Sequence, residues 1–181
     1  MMKGEGQARS EAWEWLKAIA IALILMFIIR QFIAAPVVVD GESMLPTLED
    51  RDRMIVNKLS YVIGEPKRFD IIVFHAPGGK DYIKRIIGLP GDTVEFRDNT
   101  LYINGEAVNE PFLERLKEMY DGTIPISEFR IEHIPEDHVF VLGDHLPASR
   151  DSRSIGPVHV DEIVGKASVV FWPIRNIQVA K

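Results

Sequence analysis

The longest apolar run of the chain lies near its N-terminus. Residues Ala18–Ile29 carry no polar side chain, and a lysine and an arginine flank the run. A helix needs about 20 residues to cross about 30 Å of hydrocarbon, so this run alone is short. Trp13 and Trp15 suit the headgroup zone, and the flanking basic side chains are long enough to reach it. The pattern predicts one tilted transmembrane helix over residues 13–35.

A buried helix and a cleaved secretory signal are the alternatives for this segment. Ile33-Ala34-Ala35 places a small residue where a signal would be cut, but Pro36 follows at once. The proline ring restricts the extended backbone that a protease requires there, so we expect the helix to be retained. Basic residues before the span favour a short cytoplasmic N-terminus, residues 1–12.

The rest of the chain, residues 36–181, has the pattern of strands joined by turns. Short β-branched and aromatic runs are broken by Gly, Pro, Asn and Asp. Asp98-Asn99 and Asn104-Gly105 are hairpin turn signals, the second of type I′. The predicted strands cover 36–40, 54–58, 71–75, 82–88, 93–96, 100–103, 138–142 and 162–171. The fold class is mainly β, a barrel-like or folded sheet assembly.

One short amphipathic helix is predicted among the strands, over residues 110–120. Its apolar side consists of Phe112, Leu113, Leu116 and Met119.

Composition narrows the possible functions. With 46% hydrophobic residues the chain can build a packed core, and the absence of cysteine excludes disulfides, thiolate zinc sites and cysteine nucleophiles. The five histidines show no metal-binding spacing such as HExxH, so we expect no metal. Residues 36–181 are mildly acidic, with 17 Lys and Arg against 24 Asp and Glu. That balance argues against nucleic acid as a partner.

Ser43 follows a predicted strand and the glycine at position 41, so it can project from a tight turn. A serine in such a place is more often a helix cap or a turn residue than a nucleophile. To act as a nucleophile it needs a base within hydrogen-bond reach.

Lys84 lies inside an apolar run, on the strand face that also carries Tyr82 and Ile86. One interpretation is an edge strand whose lysine discourages aggregation. The other is a buried lysine whose pKa is lowered, so that the neutral amine can take a proton from a serine hydroxyl.

Two segments, GESMLPTL (residues 41–48) and YIKRIIGLPGD (residues 82–92), closely resemble the serine and lysine boxes of type I signal peptidases. The resemblance continues through residues 68–74, 142–144 and 151–153. It implies a serine endopeptidase without a cofactor, in which Ser43 is the nucleophile and Lys84 the general base. It also implies coiled antiparallel sheets that form a barrel-like catalytic domain over residues 36–181.

Further roles follow from the same resemblance. Ser149 matches a family serine that hydrogen-bonds the catalytic lysine. Charged positions that brace the site in relatives match Arg85, Asp144, Asp151 and Arg153. Residues expected close to substrate and membrane are Met44, Leu45 and Pro46.

The sequence departs from the family pattern at two places. Some relatives supply a serine hydroxyl to the oxyanion hole two residues before the nucleophile, and here that residue is Gly41. The Ser43 N–H would supply one donor to the oxyanion, so the second donor must be a backbone group or water. The second departure is His145-Leu146, where many members have Asn-Arg. His145 could form a Ser-His-Asp triad with Asp144 or Asp151, but the lysine makes that unnecessary, and we expect a solvated loop histidine.

The resemblance implies cleavage of signal peptides from secreted preproteins at the outer surface of the plasma membrane. The protein would be single-pass and monomeric, with a cytoplasmic N-terminus, and would contact preprotein signal peptides and the lipid bilayer. Eight residues separate Ala35 from Ser43, which limits their separation to about 29 Å. An extended substrate would add to a sheet edge. The alternatives are a Ser-Lys autoprotease of the repressor kind and an inactive membrane-tethered β module that binds peptides.

Overall fold

A computed structural model describes residues 4–180. Its N-terminal helix α1 (Gly4–Ile28) ends in a wider π-helical turn, Ile29–Ile33. The helical segment Trp13–Ile33, which includes this turn, is long and apolar enough to cross a membrane. Its 21 residues are not buried against the remainder of the chain. The structure thus has the predicted N-terminal apolar helix. The first three residues of the expected cytoplasmic segment lie outside the described range.

The body is mainly β, as the sequence predicts. In the described part of the chain the strands are β1 (Ala34–Val38), β2 (Arg53–Asn57), β3 (Ile71–Ala76), β4 (Lys80–Gly88), β5 (Val94–Arg97), β6 (Thr100–Ile103), β7 (Glu106–Ala107), β8 (Phe129–Ile131), β9 (His138–Leu142), β10 (Val158–His159), β11 (Ile163–Trp172) and β12 (Gln178–Val179). Three short helices accompany them: α2 (Ser60–Ile63), α3 (Pro111–Met119) and α4 (Ser152–Ile155).

The strands form two antiparallel sheets. The larger runs in the order β1-β2-β11-β3-β4-β9-β10, with β12 also paired to β11, and the smaller runs β7-β6-β5-β8. Register shifts between β11 and its neighbours and between β4 and β9 bend the larger sheet, because a bulge increases local twist. Neither sheet closes on itself, so the predicted barrel-like domain is a pair of open sheets rather than a closed barrel.

Both predicted hairpin turns are present in the smaller sheet. Asp98 and Asn99 join β5 to β6, and Asn104 and Gly105 join β6 to β7. All four residues have positive φ, between 47° and 84°. Two successive positive φ values are what a type I′ turn requires, and Asn, Asp and Gly adopt them at the lowest steric cost.

The differences from the sequence pattern concern short elements. The strands β7, β8, β10 and β12 have two or three residues each, too few to show an alternation. Helix α3 buries Phe112, Leu113 and Leu116 as predicted, whereas Met119, the last residue of the helix, is about half exposed.

Three apolar clusters form the core. One packs β1, β2 and β11 against Met44 and Leu48, a second joins the smaller sheet to α3, and a third lies beneath β3, β4 and β9. Strand β4 contributes to all three through Ile83, Ile87 and Ile86. A residue on this strand is therefore held from several directions.

At Gly165 the backbone of β11 passes close to β2. A Cβ atom there would lie 2.6 Å from the Asn57 carbonyl oxygen and 2.9 Å from a methyl group of Val56. We expect Gly165→Ala to lower the free energy of unfolding by about 1–3 kcal/mol, because the strand backbones must separate. Urea unfolding of the detergent-solubilised chain measures this loss.

The control is Gly64→Ala, at the exposed end of α2, where the new Cβ would lie 3.1 Å from the Ser60 carbonyl. Its loss of stability should be clearly the smaller of the two. Equal stability of Gly165→Ala and the parent would contradict the close approach.

Candidate active site

Ser43 lies in a turn that is anchored on both sides. The chain leaves β1, turns at Gly41 with φ of +98°, and the Gly41 N–H donates a 2.8 Å hydrogen bond to the Asp50 carboxylate. On the other side of Ser43, Met44 is 1% exposed and Leu48 is fully buried, and both belong to the core cluster of β1, β2 and β11. Ser43 itself stays half-buried between these anchors. Its hydroxyl is therefore presented at the surface of a fixed loop.

Lys84 lies on an interior strand of the larger sheet. Strand β4 pairs with β3 on one side and with β9 on the other, so the edge-strand interpretation of this lysine was wrong. The side chain is 4% exposed. Its Nζ lies 2.7 Å from Ser43 Oγ, donates to the Ile83 carbonyl at 2.8 Å, and sits 5.4 Å from the centre of the Tyr82 ring. The structure thus brings Ser43 and Lys84 into hydrogen-bond contact.

Burial lowers the pKa of Lys84 to about 8, because the charged ammonium loses its hydration. The carboxylates of Asp151 and Asp144 act in the opposite direction, since they favour the charged form. Desolvation is the larger effect. At pH 7 about a tenth of the amine is therefore neutral, far more than for an ordinary lysine, and a neutral amine can accept a proton from the serine hydroxyl.

Asp144 and Arg85 form a buried ion pair beside this contact. Two guanidinium N–H groups of Arg85 donate to the two carboxylate oxygens of Asp144, at 2.8 and 2.6 Å. Arg85 also donates to the Phe69 carbonyl and lies over the Phe112 ring. The fork geometry of arginine suits a carboxylate held in one orientation. The pair joins β4 to the loop that follows β9.

Asp151 and Arg153 hold the other end of the same loop. Arg153 donates to both oxygens of Asp151, each at 2.8 Å, and to the Leu146 carbonyl at 2.6 Å. The Asp151 carboxylate also accepts the Gly143 N–H at 3.1 Å. Residues 143–153 are thereby tied at both ends.

Ser149 lies where this loop meets the serine turn. A Cβ atom at Gly143 would collide with both Ser149 Oγ and the Ser43 carbonyl, so only glycine allows the three residues to approach. The hydrogen bond expected between Ser149 and Lys84 is not formed: Ser149 Oγ is buried without a hydrogen-bond partner among residues 4–180.

His145 is buried, in contrast to the solvated histidine expected. It is 8% exposed, and its ring contacts the Tyr120 hydroxyl and the Glu42 carbonyl, at 2.7 and 3.1 Å. Because Asp144 and Asp151 bind arginines, they do not form a triad with this histidine. Sequence reasoning missed the role of Tyr120, which lies 25 residues earlier at the end of α3. The only signal was the unusual His-Leu after Gly-Asp.

An open cleft of about 350 Å³ lies over Ser43 and Lys84. Strand β1, at the edge of the larger sheet, forms one wall, and β4 contributes Tyr82 and Ile83 to the other. Met44, predicted close to substrate and membrane, is buried and lines the cleft from the core. Leu45 and Pro46 are half-buried and lie outside the cleft lining.

The Ser43 N–H makes no hydrogen bond to another described residue, which leaves it available to a ligand. Gly41 provides no side chain for this purpose. Among residues 4–180, no group of three or more His, Asp or Glu side chains is placed to hold a metal ion.

Comparison with known proteins gives consistent matches over most of the chain. The family model described as "Signal peptidase, peptidase S26" matches residues 12–172. The chain is 42% identical to signal peptidase I of Bacillus caldolyticus over 97% of both chains, and 39% identical to signal peptidase IB of Staphylococcus aureus over 94% of both. A crystal structure of a signal peptidase I from Enterococcus faecalis matches with a TM-score of 0.51 and 39% identity. The match covers 57% of this chain and 97% of that one.

The buried amine leads to a prediction about stability. We expect Lys84→Met to be at least as stable as the parent at pH 7, because the variant no longer buries an ammonium group. Between pH about 8 and about 10.5 the parent's native state binds fewer protons at Lys84 than its unfolded state, so the parent's stability rises with pH. The advantage of the variant should shrink over this window in denaturant unfolding curves.

Lys80→Met is the matched control, since Lys80 is exposed at the start of the same strand. Its effect on the free energy of unfolding should stay within about 0.5 kcal/mol. A marked loss of stability in Lys84→Met at pH 7 would show that the ammonium stabilises the fold, contrary to this account.

Proposed function

The chain belongs to the signal peptidase family, peptidase S26, and from that premise we propose that it is a serine endopeptidase in which Ser43 is the nucleophile and Lys84 the general base. Its substrates are preproteins, from which it removes the signal peptide at the membrane surface. The observation that carries the proposal is the 2.7 Å contact between a buried lysine amine and a serine hydroxyl in an open cleft.

The neutral amine of Lys84 takes the proton of the Ser43 hydroxyl while Oγ attacks the scissile carbonyl. The Ser43 N–H donates to the oxygen that becomes negative in the tetrahedral intermediate. Collapse of the intermediate breaks the C–N bond, and the Lys84 ammonium returns its proton to the leaving amine. The neutral lysine then takes a proton from a water molecule as that water attacks the acyl-enzyme carbonyl. When the ester C–O bond breaks, the Lys84 ammonium returns this proton to Ser43 Oγ, which restores the hydroxyl and releases the acyl product as a carboxylic acid.

Ser149 is suited to act on the protonated state of Lys84. An ammonium has three N–H donors, and two of them point at Ser43 and the Ile83 carbonyl. The Ser149 hydroxyl is packed against Gly143 and has no hydrogen-bond partner among the described residues, so it is available as an acceptor for the third. Arg85, Asp144, Asp151 and Arg153 support the loops and do not touch the reacting atoms.

The cleft suits an extended peptide. Strand β1 is an edge strand, so its unpaired backbone groups can add a substrate strand by hydrogen bonding. Apolar side chains from both walls offer shallow pockets to alternate residues of that strand, and small residues fit them best. Those lining residues include Val37, Val39, Val73 and Ile83.

The position of β1 supports a site close to the membrane. The strand begins directly after the span, and its first residue, Ala34, pairs with Asn57. The Lys58 amine also donates to the Gln31 carbonyl of the last helical turn. We infer that residues 1–12 are cytoplasmic, that 13–33 span the plasma membrane, and that the body from β1 onward is a monomeric catalytic domain outside. The helix ends two residues before the predicted boundary at residue 35, because Ala34 and Ala35 pair with β2.

The other candidate functions have less support. A peptide-binding module without catalysis has no use for a buried lysine in contact with a serine, and that contact costs desolvation. A repressor-type autoprotease has no use for an apolar span that lies unburied beside the body.

Ser43→Ala tests the nucleophile. We expect turnover of a preprotein to fall by at least about 10⁴-fold with the fold intact, because the covalent route requires the hydroxyl. Mass mapping of the products from purified protein measures both the rate and the position of the cut. Ser168→Ala, which removes a hydroxyl from β11, is the control and should cleave at the parent's rate. Undiminished cleavage by Ser43→Ala would refute the assignment.

The pH profile tests the base. We expect kcat/KM to rise with pH, with a midpoint near the lowered Lys84 pKa of about 8, since only the neutral amine accepts the serine proton. Lys84→Arg should be inactive at every pH, because a guanidinium stays protonated in proteins. Near-parental activity of the Arg variant, or an acidic limb that follows a carboxylate or a histidine, would exclude Lys84 as the base.

A further inference from the structure

We propose that His145 and Tyr120 form a brace that orients the Ser43 peptide group, and that both are positioning residues for catalysis. The inference rests on the proposed function and deepens it. His145 approaches the Ser43 turn twice: its ring contacts the Glu42 carbonyl at 3.1 Å, and its backbone N–H donates to the Ser43 carbonyl at 3.1 Å. The carbonyls on either side of the nucleophile are therefore held by one residue.

The contacts determine the tautomer of the ring. The Glu42 carbonyl is only an acceptor, so the Nδ1 of His145 must carry the hydrogen that is donated to it. In the neutral ring Nε2 is then the acceptor, and the Tyr120 hydroxyl donates to it at 2.7 Å. Tyr120 thus selects the tautomer that binds Glu42.

His145 can orient the Ser43 N–H through the peptide group that joins Glu42 to Ser43. The Glu42 carbonyl and the Ser43 N–H belong to the same planar peptide group and point in opposite directions. When His145 holds the carbonyl, the N–H that is available to the developing oxyanion is aimed as well. Gly41 supplies no side-chain donor, so the backbone donor gains importance.

The brace connects the nucleophile to a separate part of the fold. Tyr120 caps α3, which packs on the smaller sheet through Phe112 and Leu116. Arg115 of the same helix donates to Thr47, at the far end of the serine turn. Helix α3 thereby contacts both the turn and the histidine that holds it.

A brace of this kind acts mainly in the transition state, because the negative oxygen exists only there. Its loss should lower kcat and leave KM nearly unchanged, whereas a disturbed cleft would raise KM. The acidic limb of the pH profile should keep its midpoint, since the brace does not touch the Lys84 amine.

The test uses the full-length chain in detergent micelles and a peptide substrate with small residues at alternate positions before the scissile bond. We expect His145→Ala to lower kcat by about 10- to 100-fold, with KM within about twofold of the parent. Tyr120→Phe should lower kcat by a smaller factor in the parent and have no further effect in the His145→Ala background, because it acts through His145. His145→Asn should restore part of kcat, since an amide N–H can again donate to Glu42.

Two controls bound the effect. His159→Ala and Tyr102→Phe remove comparable groups away from the cleft, from β10 and from the smaller sheet, and should leave kcat unchanged. Equal kcat for His145→Ala and the parent, additive effects of His145→Ala and Tyr120→Phe, or a rise in KM alone would each overturn the brace.

If Ser43→Ala cleaves like the parent, the proposed function fails instead. Should His145→Ala unfold, Tyr120→Phe, which removes one oxygen, decides the question by the same kcat and KM criteria.

Discussion

The burial of one amine on an interior strand is the constraint on which the rest of this structure depends. Lys84 lies between two paired strands, where loss of hydration lowers its pKa to about 8. The nearby carboxylates of Asp144 and Asp151 would restore the charge if they paired with the amine. Each is instead engaged by an arginine, so they raise the pKa only in part. The ion pairs therefore hold the loops without making the lysine permanently cationic.

The site is assembled from segments that are distant along the chain, and backbone contacts align them. The Ser43 turn is held from its own side by the buried Met44, and from the opposite side by the loop that begins at Gly143. That loop approaches closely because glycine has no side chain, and it delivers both Ser149 and His145. A displacement of either loop would change the 2.7 Å distance between Ser43 Oγ and Lys84 Nζ, the pair that we propose as nucleophile and base.

The order of strands in the larger sheet brings the cleft over Ser43 and Lys84 close to the apolar helix. Strand β1 continues the chain directly from the apolar helix, and it is also the edge strand that walls the cleft. Under the proposed function, a substrate that adds to this edge would lie beside the apolar helix, and its scissile bond would be close to Ser43. An apolar N-terminal helix and signal peptidase relatives indicate a membrane-anchored protein. The strand order connects that anchor directly to the wall of the cleft.

The sequence by itself determined the features that depend on neighbouring residues. An uninterrupted apolar run identified the N-terminal helix, β-branched and aromatic runs identified the longer strands, and helical spacing identified α3. Turn residues that favour positive φ identified both hairpins, because all of these are local properties. The motifs around Ser43 and Lys84 identified the family. Only the tertiary structure decided that β4 is interior, that Lys84 meets a serine 41 residues away, and that His145 is buried against Tyr120. Those outcomes follow from strand order and loop packing, in which distant residues meet, and no local pattern records which of them will do so.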